Sequence, residues 1–285
     1  MTIWTETYRG TVPPWQCDIT EHFTIAFYFD RIGEAERTAA EALGLREFLR
    51  GGRFPRQFDV RFARELRAGS SFHIESAPIG LEGGLRLGHR VIDSGNGEVV
   101  TWVVEQWELV HGELPSERQA AIAPWIVAWD GPATESRPEP QSMVDLLATG
   151  RGRVKPRDLS ANDRFSLEAI VHRFTDASLQ IGAAIGMDAA FLESNRRGFS
   201  TFELILRITG ALPLDDPYLV ESGIGHFGNS SMRMIHRLSD ARTGAEVARM
   251  SQYGVNLDLD ARRPARWPDQ TRERAGKLLI PLEEA

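Results

Sequence analysis

One cysteine, Cys17, and two lysines, Lys155 and Lys277, are all that 285 residues hold of either type. A lone cysteine excludes a disulfide framework and a cysteine-rich zinc site. The near-absence of lysine among 33 basic residues is a bias of composition rather than a site. A basic surplus is also missing: 40 acidic residues leave a formal charge of −7, which argues against a nucleic-acid partner. Long hydrophobic runs are absent. The longest, Ala120 to Trp129, contains Pro124 and is too short to span a bilayer. The opening residues MTIWTETYRG have no apolar core and do not read as a leader, so a cytoplasmic location is expected. What remains, 42% hydrophobic and 26% charged residues, describes a globular protein of one large domain or two smaller ones.

The informative feature is a repeat. Residues 12–45 (VPPWQCDITEHFTIAFYFDRIGEAERTAAEALGL) align without a gap to residues 154–187 (VKPRDLSANDRFSLEAIVHRFTDASLQIGAAIGM), an offset of 142. Tyr28, Ile32, Ala35, Ala39 and Leu43 face Ile170, Phe174, Ala177, Ile181 and Ile185, an apolar stripe at helical spacing. A glycine, Gly44 or Gly186, follows each stripe, as helix ends often require. Further on, Phe54 to Phe62 faces Phe199 to Arg207, and Leu85 to Asp93 faces Met232 to Asp240. Glu105, Gln106 and Trp107 face Ser251, Gln252 and Tyr253. Alternating apolar residues and the turn sequences 94–97 and 241–244 predict hairpin strands. The expected fold class is α+β. Each of two tandem modules has a lead-in segment, one long helix and about four antiparallel strands, the helix lying across the sheet. The expected boundaries are 1–130 for the first module, 131–150 for a Pro- and Glu-rich linker, and 151–285 for the second module with an irregular tail.

The densest polar cluster precedes the first helix: Cys17, Asp18, Thr20, Glu21, His22 and Thr24. An acid and an imidazole there can move protons near neutral pH, and free amides at a helix start can polarise a carbonyl. The competing explanation is helix capping by Asp18 or Thr20. The repeat separates the two. Its second copy has Ser160, Asn162 and Arg164 at the matching positions, which keeps capping ability and loses the acid–histidine pair. That asymmetry points to chemistry in the first copy.

Asp18-Ile19-Thr20-Glu21-His22-Phe23-Thr24-Ile25-Ala26-Phe27-Tyr28 resembles the signature Asp-x-Asn-x-His-x-Asn-x-x-x-Tyr of the hotdog-fold thioesterases, in particular the 4-hydroxybenzoyl-CoA and acyl-acyl-carrier-protein group. Asp18, His22 and Tyr28 match. Thr20 and Thr24 replace asparagines, and Glu21 replaces a frequent glycine. The stretches Val12–Pro14 and Asp18–His22 are also similar to the thioesterase part of betainyl-CoA-type enzymes. Extended over both copies, the resemblance implies a tandem double hotdog that hydrolyses an acyl thioester, without cofactor or metal. It implies Asp18 as general base, or as a nucleophile forming a mixed anhydride. His22 would orient Asp18 or the carbonyl, Thr20 would position water, and amides from Phe23 to Ile25 would hold the oxyanion. Thr24, Tyr28, Glu34 and Gln57 are the candidate substrate contacts. Glu34 is also a rival base, since some relatives use a helical glutamate, although its repeat partner Asp176 suggests a shared surface carboxylate. Some plant-type relatives use a cysteine after the helix; Gln57 and Phe58 stand near that region here, so no cysteine is carried over.

Other signals point elsewhere only briefly. The GxGxxG run 223–228 precedes an alternating strand rather than a helix, which argues against a dinucleotide site. No G-x-S-x-G elbow occurs, and the seven histidines show no metal-binding spacing. Cys17 is expected to be a buried small hydrophobe, and the tryptophans to be core. The expected partner is an acyl-CoA or acyl-carrier-protein substrate. The modules would form a pseudo-dimer within one chain, with further homodimerisation open. Two alternatives stand beside hydrolysis: a hotdog hydratase or dehydratase acting on enoyl thioesters, and a non-catalytic acyl-thioester binder.

Overall fold

The structure, a computed structural model, describes residues 4–18, 20–51, 56–108, 114–160 and 165–283. Ile19, Phe54, Asn162 and Arg164 lie outside the described residues. The first unit runs β1 (Thr5–Thr11), α1 (Ile25–Ala42), α2 (Arg46–Gly51), β2 (Arg56–Phe62), β3 (Ser71–Gly80), β4 (Leu85–Asp93) and β5 (Val99–Trp107). After α3 (Ser116–Ile122), the second unit runs β6 (Leu147–Arg153), α4 (Leu167–Ala184), α5 (Ala189–Asn195), β7 (Arg197–Ile208), β8 (Pro217–Phe227), β9 (Ser231–Asp240) and β10 (Glu246–Asp258). The short β11 (Arg263–Pro264) and α6 (Asp269–Gly276) follow. The lead-in of each unit therefore contains a fifth strand. Strand β6 begins inside the stretch expected to be linker, and the expected irregular tail carries a strand and a helix.

All strands form one antiparallel sheet in the order β1-β3-β4-β5-β2-β7-β10-β9-β8-β6, with β11 on β10. The two units meet edge to edge at β2 and β7, where Val60 pairs with Leu204 and Arg61 with Glu203. Helix α1 packs on β1 and β3, α4 packs on β6 and β8, and the two helices pack on each other. Their stripes go inward as the spacing predicts: Tyr28, Ile32, Ala35 and Ala39 of α1 are buried, as are Ile170, Phe174, Ala177 and Ile181 of α4. One apolar cluster runs through both units, joining Ile32 and Phe58 to Phe174 and Leu204. Both helices stop at a glycine in the left-handed region, Gly44 (φ 69) and Gly186 (φ 88).

Strand pairing corrects the repeat alignment. Phe58 pairs with Glu105, and Leu204 pairs with Gln252. Glu105 therefore corresponds to Gln252 rather than Ser251, and Phe58 to Leu204 rather than Glu203. A slip of one residue moves a side chain to the opposite face, so the pleat settles a register that similarity with insertions does not.

With the register corrected, the units share one buried frame. Thr7 and Ser76 hydroxyls lie 2.7 Å apart, and Ser76 Oγ lies 2.7 Å from His89 Nδ1. Thr149, Ser222 and His236 repeat both distances. Around that frame the units diverge. In the first, Arg56 donates to Glu105 Oε1 from Nε (2.9 Å) and Nη2 (2.6 Å), and to Glu36 Oε2 (2.6 Å). Trp107 Nε1 also donates to Glu105 (2.7 Å). The second unit has Ser178 and Gln252 in place of Glu36 and Glu105, and Gly254 in place of Trp107.

Two carboxyls buried around one guanidinium compete to stay ionised. Burial raises the Glu36 carboxyl to about 8, and the charge of Glu105 adds to that against Arg56. Burial also opposes ionisation of Glu105, but Arg56 and His89 outweigh it and hold that carboxyl low. Glu36 Oε1 has no hydrogen-bond partner, as suits a neutral acid. The folded protein thus keeps a proton that the unfolded chain releases near 4.5. Its stabilising effect is full below pH 4.5 and is lost as pH rises through about 8. Urea midpoints should fall across that window in the native protein and lose much of that slope in Glu36→Gln. Equal slopes in both would reject a neutral Glu36.

Candidate functional site

Between β1 and α1 the first unit makes a tight turn organised by one carboxylate. Asp18 Oδ1 accepts from the Thr20 amide (2.8 Å), the Thr20 hydroxyl (2.6 Å) and the His22 amide (3.2 Å). The Asp18 amide donates back to the His22 carbonyl (2.9 Å), with Glu21 at φ 65 in the turn. Asp18 does not cap α1. Thr24 is the N-cap and its side chain makes no capping bond. The carboxylate closes its own turn, a habit of short acidic side chains.

That turn fixes a tautomer. A carboxylate only accepts, so the Thr20 hydroxyl spends its proton on Asp18 and offers a lone pair to His22 Nδ1, 2.8 Å away. Nδ1 therefore carries a proton. Across the ring, Nε2 lies 2.8 Å from Glu65 Oε2 and 3.2 Å from Arg262 Nη2. Glu65 pairs with Arg262 and accepts from the Ser200 hydroxyl (3.1 Å). Burial pushes the Glu65 carboxyl up, but the bond and charge of His22, with Arg262 and Ser200, more than offset it. The group sits below the usual carboxylate range. Ser200 belongs to β7, and Arg262 to the turn after β10, at φ 52. The cluster is thus completed by the second unit.

Glu65, Ser200 and Arg262 are not singled out by sequence reasoning. For Glu65 a signal exists. The Phe23 amide bonds the Leu66 carbonyl just as Phe165 bonds Leu212, which sets Glu65 opposite Ala211. The acid is missing from the second copy, as the Asp18–His22 pair is. Nothing comparable marks Arg262, which reaches the site only through the fold of the tail.

A cavity of about 580 Å³ adjoins the cluster. Asp18, Thr20, His22, Thr24, Tyr28 and Glu65 line it from the first unit. Leu179 and Ala183 of α4, Met187, Leu192 of α5 and Met232 and Met234 of β9 line it from the second, with Ser178, Thr201 and Gln252 as polar members. In the first unit the corresponding space is core, filled by Ala40, Leu45, Leu85, Leu87 and Trp107. Glu34 and Gln57 are not among the lining residues. Glu34 lies 3.9 Å from Arg31. Gln57 donates to Asp59 (3.1 Å) on the sheet face opposite the buried Phe58 and Val60. The Phe23 and Thr24 amides are spent on the Leu66 (2.8 Å) and Gln16 (2.9 Å) carbonyls. Of the three expected oxyanion donors only the Ile25 amide, the first of the helix, lacks a partner among the described residues. Cys17 is only partly buried.

One glycine makes the junction possible. A Cβ on Gly198 of β7 would stand 2.5 Å from Thr20 Cγ2, so only glycine lets the second unit close against the turn. The run 223–228 begins inside β8, where Gly223 lies against Ile280. Among the described residues no group of three or more His, Cys, Asp or Glu side chains could hold a metal. No helix there is long and apolar enough to cross a membrane.

Residues 154–275 match the model of the thioesterase-like superfamily. Solved structures resemble most of the chain. A protein provisionally named oleoyl thioesterase from Lactobacillus plantarum superposes with TM-score 0.67 at 13% identity, covering 89% of this chain and 97% of that one. An acyl-ACP thioesterase from Bacteroides thetaiotaomicron gives 0.62 at 10% identity (87% and 96% covered). The 12:0-ACP thioesterase of Umbellularia californica gives 0.61 at 15% (87% and 92%). At such identities the likeness establishes the fold, a tandem double hotdog. No curated protein sequence matches the chain.

The Gly198 contact is directly testable. Gly198→Ala should displace Thr20 and shift the ring-nitrogen resonances of His22, while Thr20→Ser, which removes the clashing methyl, should restore them in the double variant. Unchanged resonances in Gly198→Ala would show that the turn does not depend on this approach.

Proposed function

We propose that this chain, a tandem double-hotdog protein whose residues 154–275 carry the pattern of the thioesterase-like superfamily, hydrolyses acyl thioesters at the cluster of Asp18, Thr20, His22 and Glu65. The observation that carries the reading is the 2.8 Å contact of His22 Nε2 with Glu65 Oε2 beside a mainly apolar cavity. Two lone pairs do not approach so closely, so the pair holds one proton between these atoms. Apolar side chains of the second unit supply the place for an acyl chain, and the pair supplies the acid and the base.

In this mechanism a water beside Glu65 gives a proton to the carboxylate as its oxygen attacks the thioester carbonyl carbon. The carbonyl oxygen, becoming an oxyanion, meets the Ile25 amide at the start of α1. The C–S bond then breaks. His22 delivers the Nε2 proton to the departing thiolate, and Glu65 passes its newly gained proton to Nε2. Asp18 acts through Thr20, keeping Nδ1 protonated and the ring aimed. Its rival role as base or nucleophile predicts a different outcome on substitution.

Thiol release from a panel of acyl-CoA and acyl-carrier-protein substrates tests the reading and separates the two carriers. Glu65→Gln should lower kcat by at least ~10²-fold with little change in melting temperature, the scale of a lost general acid–base group. Asp18→Asn keeps an acceptor for Thr20 and His22, so a positioning role predicts a loss below about 10-fold. A loss of ~10²-fold or more would return the base or nucleophile role to Asp18. Enoyl thioester consumption without thiol release would point to a hydratase, and saturable binding without turnover to a binder.

The pH profile has a sign. Glu65 titrates below the ordinary carboxylate range, so its carboxylate is ionised above about pH 4.5 and loses its charge as pH falls through the lowered value. Turnover should therefore have an acid limb in that region, which Glu65→Gln removes along with most of the rate. An acid limb that survives in Glu65→Gln would belong to another group.

A further inference from the structure

The polar side of the cavity is built differently from its apolar lining. Ser178 Oγ lies 2.9 Å from Gln252 Oε1 and 3.2 Å from His236 Nε2. Gln252 Nε2 donates to Thr201 Oγ1 at 2.6 Å. Behind His236 the frame continues through Ser222 (2.7 Å) to Thr149 (2.7 Å). Burial pushes the His236 imidazole down to about 3, so it is neutral and has one N–H to give. The Ser178 hydroxyl has one proton and a second acceptor, the Phe174 carbonyl at 2.9 Å. In one direction Thr149 donates to Ser222, Ser222 to His236 Nδ1, His236 Nε2–H to Ser178, Ser178 to Gln252, and Gln252 to Thr201.

That chain ends on donors with no described acceptor. The Gln252 carboxamide has two N–H groups and spends one. If the chain is reversed by turning the amide over, Gln252 gives one N–H to Ser178 and still keeps one. The residue is 6% exposed and lines the cavity beside Thr201 and Ser178. A plain alkyl chain entering there would strip water from this N–H and return nothing, which costs free energy. An oxygen on the entering chain would replace the water.

The first unit treats the same position differently. There Glu36 and Glu105 stand in place of Ser178 and Gln252, and Arg56 donates to one oxygen of each. The frame is common to both units, but only the neutral version lines this cavity.

We infer that Gln252, with Thr201 and Ser178, reads an oxygen on the acyl chain, so that the preferred substrates are thioesters of hydroxy- or oxo-acyl groups rather than of plain alkyl chains. The inference rests on the hydrolase reading and deepens it. A site built to bond an oxygen discriminates against the analogue that lacks it far more than an apolar pocket does.

The test uses decanoyl-CoA and a series of hydroxydecanoyl-CoA thioesters with the hydroxyl moved along the chain, and the corresponding free acids. One hydroxyl position should raise kcat/KM by at least ~10-fold over decanoyl-CoA. Calorimetry should show the same preference among the free acids. In Gln252→Leu and in the near-isosteric Thr201→Val, both checked by melting temperature, the ratio should collapse toward one as decanoyl-CoA becomes a better substrate than it is for the native protein. Turnover with no favoured position, or a preference untouched by both variants, overturns the inference and leaves the hydrolase reading standing. Discrimination among free acids without turnover of any thioester does the reverse, and neither turnover nor discrimination rejects both.

Discussion

The antiparallel pairing of β2 with β7 is the constraint from which the rest follows. It joins two five-stranded units into one sheet and sets their register, with Phe58, Val60, Leu204 and Leu206 on the helix side. Because the helices lie on that same side, α1 and α4 must pack against each other. The turn before α1 is thereby carried over to the second unit, where Gly198 admits Thr20. The junction is reinforced by charge. Glu203 of β7 is buried, pairs with Arg61 of β2, and accepts from Arg137 of the connecting segment at 2.9 and 2.7 Å. A buried carboxylate left without those guanidiniums would be costly, so the pairing favours this arrangement over a slipped one.

Duplication under this constraint creates two equivalent junctions, and the chain uses them differently. At one, the first unit presents an acid, a threonine and a histidine, while the second presents a cavity. At the other, the second unit has Ser160 in place of Asp18, and the first unit's matching space is filled. Two kinds of substitution do the filling. Trp107 occupies volume where the second unit has Gly254. Arg56, Glu36 and Glu105 form a buried cluster close to neutral, where the second unit has uncharged hydrogen-bonding groups. An ion cluster of that sort stabilises only when each member is paired, which is why Glu36 keeps its proton. Asymmetry in the sequence near residues 18–22 is thus one end of a larger asymmetry, whose other end is an open space some 160 residues further along the chain.

How much of this was legible in the sequence depended on how local each feature is. The helices were readable because their stripes are local and continuous, and the ungapped offset of 142 holds across both lead-ins. The hairpins were readable from their turns. The fifth strand of each unit was not, since TETYRGT and LATGRGR pair with β3 and β8 rather than with a sequence neighbour. Small insertions between the copies hid the strand register by one residue, which was enough to set Glu105 against the wrong partner. At the site, Asp18, Thr20, His22, Thr24 and Tyr28 lie within eleven residues and come together at the cavity. Glu34 and Gln57 do not, because helix phase and strand alternation turn them elsewhere. Glu65 and Arg262 belong to the cluster through tertiary approach alone.

The tail shows why that last kind of contact escapes a linear reading. Arginine and proline between residues 258 and 268 suggest a solvated, irregular end. In the fold, Leu257 and Asp258 pair with Pro264 and Arg263 to close a turn, and Arg262 at its corner takes a left-handed conformation that a non-glycine residue adopts only when its surroundings hold it there. Those surroundings include Glu65, from the other unit and nearly 200 residues earlier. Beyond the corner Trp267 is buried, and Asn256 Nδ2 donates to the Ala265 carbonyl (3.1 Å), anchoring the return. The guanidinium therefore reaches His22 and Glu65 from a fixed base rather than from a loose end. Assembly of the site therefore depends on the return of the chain: Arg262 reaches His22 and Glu65 from the corner closed by the pairing of Leu257 and Asp258 with Pro264 and Arg263.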